Sequence, residues 1–348
     1  MATSITIALD AMGGDQAPAS VLKGAEIALQ RFPNVAFLLF GAEEAVRPLL
    51  ARLPKLSQVA TLHHTSERVP ADAKPSVALR TARQSSMRLA LDAVAEGRAD
   101  GMVSAGNTGA LMAMAKFVLK TLPGIDRPAI ASLFPTLLGE TVILDLGANI
   151  ECDAANLVQF AVMGEVFARA VLGLAAPSVA LLNVGAEDLK GHEAVRAAAA
   201  ELRSGLAPIR FYGFVEGDDI PRGTVDVVVT DGFTGNVALK TAEGTARLFT
   251  ESLKAAFRHS FWARIGYLFA RGALNKLRLR FDPRRHNGAI FLGLAGVAVK
   301  SHGATDAYGF ANAIGVAIDM TVNGVVGTIR DELARIGQLR PAAQPIRL

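Results

Sequence analysis

The chain is expected to fold as an α/β protein whose largely parallel sheet is flanked by helices. Three observations predict this. Short β-branched runs alternate with longer amphipathic stretches, five of those runs end in polar, glycine-rich turns, and hydrophobic residues make up 51% of the 348 residues. A chain of this length and composition buries a large core. Strand and helix patterns alternating at this rhythm are the mark of βαβ units.

The expected strands are Ile5–Leu9, Ala36–Phe40, Ala60–His64, Met102–Ser104, Ala129–Phe134, Val142–Leu146, Val179–Val184, Phe211–Val215 and Val225–Thr230. Each is a short apolar run bounded by turn residues. Between them the periodicity predicts helices at Ala19–Arg31, Val77–Glu96, Gly109–Thr121, Ala155–Leu172, Glu193–Arg203 and Gly235–Phe257. No fixed-period repeat divides the chain, so residues 1–338 are expected to form one α/β domain and 339–348, with two prolines, a loose tail.

Bulk properties narrow the function. The net charge is only +4, from 36 basic and 32 acidic residues, which disfavours a general nucleic-acid binder, while a pI near 9.3 suits an anionic partner. One cysteine, Cys152, leaves no intramolecular disulfide and no cysteine-rich zinc site, as in a reducing cytoplasm. The first ten residues lack a basic n-region and an uninterrupted apolar run, so no signal peptide is expected. Glu165 and Arg169 interrupt the stretch from Phe160 to Ala175, and Gly288 to Val299 is too short to span a bilayer, so no transmembrane helix is expected either.

The five turns are Asp10-Ala-Met-Gly-Gly-Asp15, Ser104-Ala-Gly-Asn-Thr-Gly109, Asp145-Leu-Gly-Ala-Asn149, Asn183-Val-Gly-Ala-Glu-Asp-Leu-Lys-Gly191 and Thr230-Asp-Gly-Phe-Thr-Gly-Asn236. In an open parallel sheet all five would lie at the carboxyl edge, where crevices and helix N-termini take ligands. Glycines admit close backbone approach, and free N–H groups with the helix dipole favour an anion. Any one of these turns can equally be a tight βα connection, with Asn107 or Thr108 capping a helix. No GxGxxG follows the first strand and no GxxxxGK[ST] occurs, which disfavours nicotinamide and ATP enzymes.

These stretches, with Arg127-Pro-Ala-Ile130 and His302-Gly-Ala-Thr-Asp306, resemble in order those of bacterial phosphate acyltransferases of the PlsX type, from Ile5 to about Ile318. The resemblance implies a fold similar to phosphotransacetylases and isopropylmalate dehydrogenases. It also implies a homodimer that moves a fatty acyl group from acyl carrier protein to inorganic phosphate, without metal or nucleotide cofactor. The acyl phosphate would pass to a membrane glycerol-3-phosphate acyltransferase for phospholipid synthesis. The expected location is the cytoplasm, peripherally on the inner face of the cell membrane.

Phosphate itself attacks the thioester in such a reaction, so the protein must orient the partners and stabilise an oxyanion. Lys190 could neutralise phosphate or the tetrahedral oxyanion, although composition alone makes it a solvated surface lysine. In the resembling family the matching lysine is catalytically important. Asn236 can donate two N–H bonds as an oxyanion-hole amide, or cap a helix. Lys190 and Asn236 are the catalytic candidates. The turn Gly106-Asn107-Thr108-Gly109, with Gly13 and Gly14, is the phosphate candidate; Asp10, Asp15, Asp231 and Thr234 complete the substrate set. Three carboxylates on one crevice could hold Mg²⁺, but an orienting role for them is favoured and no metal is expected. Cys152 has no clear activating histidine and is expected to be inert.

Residues 248–281 stand apart as an inserted basic amphipathic helical hairpin. From Leu253 to Phe281 there are seven positive charges and no carboxylate, with aromatic residues at helical spacing. Lys254, Phe257, Arg258, Phe261, Trp262, Arg264, Phe269 and Arg271 could meet anionic lipid or the acidic carrier protein, or the hairpin could pack in the core or against a dimer partner. Two alternatives stay open: a phosphotransacetylase-like enzyme using short acyl-CoA, and a lipid-surface adaptor without activity.

Overall fold

The computed structural model describes residues 5–205, 209–280, 282 and 284–339. Most of the expected tail, 340–348, lies outside the described residues. The chain starts with β1 (Ile5–Asp10), α1 (Ala19–Arg31), β2 (Val35–Gly41), α2 (Glu43–Leu50), α3 (Pro54–Val59) and β3 (Ala60–His64). It continues through α4 (Pro75–Thr81), α5 (Ser86–Ala95), β4 (Gly101–Ser104), α6 (Thr108–Leu119), β5 (Ala129–Pro135) and β6 (Glu140–Leu144). Next come α7 (Ala154–Leu172), β7 (Ser178–Leu182), α8 (Glu193–Arg203), β8 (Arg210–Val215), α9 (Asp219–Arg222) and β9 (Val227–Val229). The last elements are α10 (Gly232–Arg258), α11 (Phe261–Arg280), β10 (Ala289–Leu292), β11 (Val297–Lys300), α12 (Ala307–Val322) and α13 (Val325–Leu339).

All the strands join one sheet in the order β3-β2-β1-β4-β11-β10-β5-β6-β9-β7-β8. Pairing is parallel except where β10 meets β11 and β5, and where β5 meets β6. Those three antiparallel steps have a large consequence. β1, β4 and β11 run one way, and β6, β9 and β7 run the other. Strand ends that a purely parallel sheet would gather at one edge are therefore divided between two.

Alternation along the strands sorts side chains to the two faces. Ile7 and Leu9 pack with Val21, Phe160, Phe167 and Phe310 under α1, α7 and α12, whereas Ala8 packs with Met87, Leu91 and Met114 under α5 and α6. Glycine at Gly24 lets α1 approach α12 closely, since a β-carbon there would lie 3.0 Å from Phe310. α7 is long and apolar enough to cross a membrane, as is the bent pair α12–α13 taken together. Phe160 and Phe167 of α7 are fully buried in the protein core, and its Glu165 and Arg169 pair at 2.9 Å.

The helix expected over Val77–Glu96 is two helices. Between them Ser85 takes an extended conformation and caps α5 by accepting from Arg88 N–H at 3.3 Å. The basic hairpin forms as expected from α10 and α11, but α10 begins at Gly232, well before residue 248. Phe257 and Tyr267 fasten its two arms with ring centroids 5.5 Å apart.

Candidate active site

The reversal at β10, β5 and β6 corrects the expectation of a single carboxyl edge. The turns after β1 and β4 lie at one edge of the sheet, with the turn after β11; those after β6, β9 and β7 lie at the opposite edge. Asp10 and Asp15 are thereby separated from Asp231, which removes the shared crevice that a three-carboxylate Mg²⁺ site would need. Among the described residues no group of three metal-ligating side chains comes together.

At the first edge Asp10 is fully buried at the end of β1. It accepts from Ser86 Oγ and Ser104 Oγ, each at 2.6 Å, and from Met12 N–H at 3.2 Å. Burial nevertheless pushes its carboxyl above the usual range. A β-carbon at Gly13 would strike the Asp10 carboxylate and lie 2.8 Å from Gly106 N, so the two glycine turns touch only because side chains are absent. Asp15 N–H donates to Gly303 O at 2.9 Å, drawing the turn after β11 into the cluster.

The Gly106–Gly109 turn is a capped helix start. Asn107 Oδ1 accepts from Ala110 N–H at 2.9 Å, and Asn107 Nδ2 donates to the carbonyls of Ala71 and Ala73 at 2.7 and 3.1 Å. Its amide is thus occupied by structure, as the capping alternative had it. Thr108 opens α6, and Gly109 lies against Pro75.

The residue that sequence reasoning missed at this edge is Lys300. It ends β11 directly opposite Ser104 and donates to the Ser301 carbonyl. Burial lowers its ammonium to about 8, against the opposing pull of Asp10 and Asp15. Asn287 shapes the turn beyond it, donating to Ser301 Oγ at 2.8 Å and accepting from His302 N–H at 2.9 Å. The available signal was the short run Val297-Ala-Val-Lys300, an apolar strand that ends on a cation just before the quoted His302–Asp306 motif.

At the second edge, Asp145 plays the corresponding structural part. Fully buried, it accepts from the N–H groups of Ile130 (2.9 Å), Ala148 (3.1 Å) and Asn149 (2.7 Å), and from Asn149 Nδ2 (2.9 Å). Desolvation still raises its pKa. Asn149 O accepts from Gly232 N–H at 2.7 Å, which seats the start of α10 on this turn. Asp231 caps α10 by accepting from Thr234 N–H at 2.8 Å and Thr234 Oγ1 at 2.7 Å. The cap being Asp231, Asn236 lies inside the helix with an exposed side chain. A β-carbon on Gly147 would lie 2.9 Å from Asn236 Nδ2, so that amide rests over the turn that follows β6.

Lys190 belongs to the turn after β7, and β7 adjoins β9, so the turns bearing Lys190 and Asn236 are neighbours along this edge. The side chain is half exposed, 2.9 Å from Glu187, whose hydrogen bond raises the lysine pKa while its own carboxyl is lowered. Asn183 Nδ2 ties the loop by donating to Gly185 O and Lys190 O, both at 3.1 Å. Cys152, near Asn149, has its thiol pushed up to about 12 by burial and by the charges of Asp145 and Asp231.

A mixed sheet of this order with helices on both faces defines an α/β protein of the phosphotransacetylase fold. Solved phosphotransacetylases from Streptococcus pyogenes (TM-score 0.62, 20% identity, 92% of this chain and 95% of that one) and Staphylococcus aureus (TM-score 0.59, 17% identity, 91% and 94%) share the fold. The chain belongs to the fatty acid synthesis protein family, whose model matches residues 5–328. Its relatives include phosphate acyltransferases of Rhodospirillum centenum, 66% identical over 343 residues (99% of this chain, 97% of the relative), and Paramagnetospirillum magneticum, 61% identical over 342 residues (98% and 97%). It is accordingly an acyltransferase.

Proposed function

We propose that the chain transfers a long-chain acyl group from acyl carrier protein to inorganic phosphate, releasing acyl phosphate and the free carrier-protein thiol. The observation that carries this reading is the neighbouring placement of the Lys190 and Asn236 turns on one sheet edge, in a chain related to phosphate acyltransferases throughout its length.

In this reading phosphate lies against Lys190, which exchanges its Glu187 partner for the incoming anion as a compact point charge. A phosphate oxygen attacks the thioester carbonyl. The carbonyl oxygen gains the electron pair and accepts hydrogen bonds from the Asn236 amide, which lies over the backbone of Gly147 where the missing side chain leaves it room. Collapse re-forms the carbonyl and breaks the C–S bond, and the departing thiolate becomes the thiol by taking up the proton that the attacking hydrogen phosphate gives up. No covalent enzyme intermediate is needed, which agrees with the raised pKa of Cys152. Asp231 and Thr234 hold the helix that carries Asn236. The Gly106–Gly109 turn, on the opposite edge, takes no part in the transfer step within one chain.

The reading further includes a cytoplasmic homodimer, peripheral to an anionic membrane that it meets through the α10–α11 hairpin, and handing acyl phosphate to a membrane glycerol-3-phosphate acyltransferase. Phe261, Trp262 and Phe269 on that hairpin are strongly exposed, which supports a surface that meets lipid.

The test mixes purified protein, long-chain acyl-acyl carrier protein and phosphate, then traps product with hydroxylamine. Phosphate-dependent acyl hydroxamate is the expected result. Its absence, with acetyl-CoA and phosphate giving product instead, would replace the carrier-protein donor by a short acyl-CoA.

A further inference from the structure

We propose that five exposed apolar side chains around the Lys190 and Asn236 turns form the track that receives the first methylenes of the donor's acyl chain. The inference rests on the reading that Lys190 and Asn236 act on the thioester.

Single exposed apolar side chains are ordinary on a protein surface, whereas several gathered at one place mark a surface that binds something. Ile150, Val184, Leu189, Phe233 and Val237 are 72%, 73%, 87%, 63% and 51% exposed. They lie in the turns following β6 and β7 and in the first two turns of α10, which follows β9; β6, β9 and β7 are successive parallel strands of the sheet. Ile150 and Phe233 flank the 2.7 Å bond from Gly232 N–H to Asn149 O, so the turn after β6 and the first turn of α10 present them side by side. Val237 is one helical turn beyond Phe233 on the same face of α10. Val184 and Leu189 belong to the loop whose carbonyls Asn183 gathers, and Leu189 directly precedes Lys190.

The polar atoms available for an oxyanion and a phosphate are thus bordered by apolar side chains. An acyl thioester has this duality, since a carbonyl that develops charge is bonded to a chain that gains by leaving water. An aliphatic chain gives about a fourfold gain in affinity for each methylene fully removed from water, and about twofold for one half covered. Phosphate and the carrier's polar arm have no use for five such side chains. A second copy of this chain is the rival occupant, and it is distinguishable by mass.

The probe is a series of unreactive amides of pantetheine carrying butyryl, octanoyl and dodecanoyl chains, with binding measured by calorimetry on the full chain. Wild type should bind dodecanoyl far more tightly than butyryl. In Leu189→Ser/Phe233→Ser that ratio should fall at least tenfold. Leu138→Ser, exposed on the opposite edge at the β5–β6 turn, should leave it unchanged. An unchanged ratio in the double variant would overturn the track, as would a fall in native mass showing that these side chains join two copies. Should wild type make no acyl phosphate while the ratio still depends on Leu189 and Phe233, the transfer reading fails and the track stands. Should acyl phosphate form with the ratio insensitive to both, the track fails and the transfer reading stands.

Discussion

The side-chain amide of Asn236 rests over the backbone of Gly147, so closely that a β-carbon on Gly147 would lie 2.9 Å from Asn236 Nδ2. Gly147 also has φ +127°, a region that costs a side-chain-bearing residue roughly 1–3 kcal/mol. Gly147→Ala should therefore displace the amide and lower the melting temperature together. Removal of one oxyanion donor typically costs about 10²–10³ in kcat. Gly147→Ala and Asn236→Ala should both fall in that range, with Asn236→Ala keeping wild-type stability because its side chain is exposed. Steady-state kinetics and thermal melts check this; full activity in either variant would remove the oxyanion role.

Lys190 and Glu187 form an exposed pair at 2.9 Å, which solvent and salt screen. Lys190→Met should leave the melting temperature unchanged while raising the phosphate KM at least tenfold and lowering kcat. Glu187→Gln releases the ammonium from its competitor and should lower the phosphate KM at low ionic strength. A Lys190→Met enzyme with normal phosphate kinetics would return this residue to the solvated surface role that composition alone favours.

How the chain could be read in advance depends on which signals are local. Strand and helix positions follow from periodicity, so β3, α1 and α8 fall where the sequence places them. Strand direction is not local. The reversal at β10, β5 and β6 depends on which distant strands pair, and β10 and β11, only four residues each with Gly293 and Gly296 between them, carry little period-2 signal. Missing those strands hid both the division of the turns between two edges and the position of Lys300. Asn107 shows the opposite limit: its residue type suits an anion or a cap equally, and only the carbonyls of Ala71 and Ala73, far off in sequence, decide for structure.

Cys152→Ala should retain near wild-type turnover. With its thiol pushed up to about 12 beside the charges of Asp145 and Asp231, Cys152 holds almost no thiolate at neutral pH. Iodoacetamide at pH 8 should accordingly leave activity intact over an hour. Rapid inactivation by the reagent, or near-complete loss of turnover in the variant, would require a thiol in the mechanism.

Lys300 gives stability a pH dependence with a definite sign. Its ammonium loses its proton at about 8 in the fold, whereas an unfolded lysine does so near ~10.4. Between those values the unfolded chain binds more protons, so this residue makes stability rise with pH, and below about 8 the buried charge opposes folding in full. Lys300→Met should melt higher than wild type at pH 7, with the gap closing as pH approaches 10. A gap that stays constant across that window would show that Lys300 is not titrating there.

The hairpin is where position and chemistry together make the sharpest test of membrane contact. Phe257 packs on Tyr267 between the arms, so it serves the hairpin's own cohesion, whereas Phe261, Trp262 and Phe269 are 70%, 77% and 88% exposed, with Phe261 and Trp262 meeting edge to face on the same arm. Lys254, Arg258, Arg264 and Arg271 surround them with positive charge; Lys254 pairs with Glu251 at 2.8 Å, and among the described residues the other three form no such ion pair. Buried apolar area and attraction to anionic headgroups act together in such a surface, and salt screens only the second. Wild type should therefore float with phosphatidylglycerol vesicles at low salt, less so with phosphatidylcholine vesicles, and partly lose binding at 0.5 M salt. Phe261→Asp/Trp262→Asp should stay in the aqueous fraction throughout while keeping its melting temperature, since both side chains are exposed. Equal flotation of the two proteins would remove the lipid contact, and a raised KM for the acidic carrier protein in that same variant would assign the basic surface to the carrier instead.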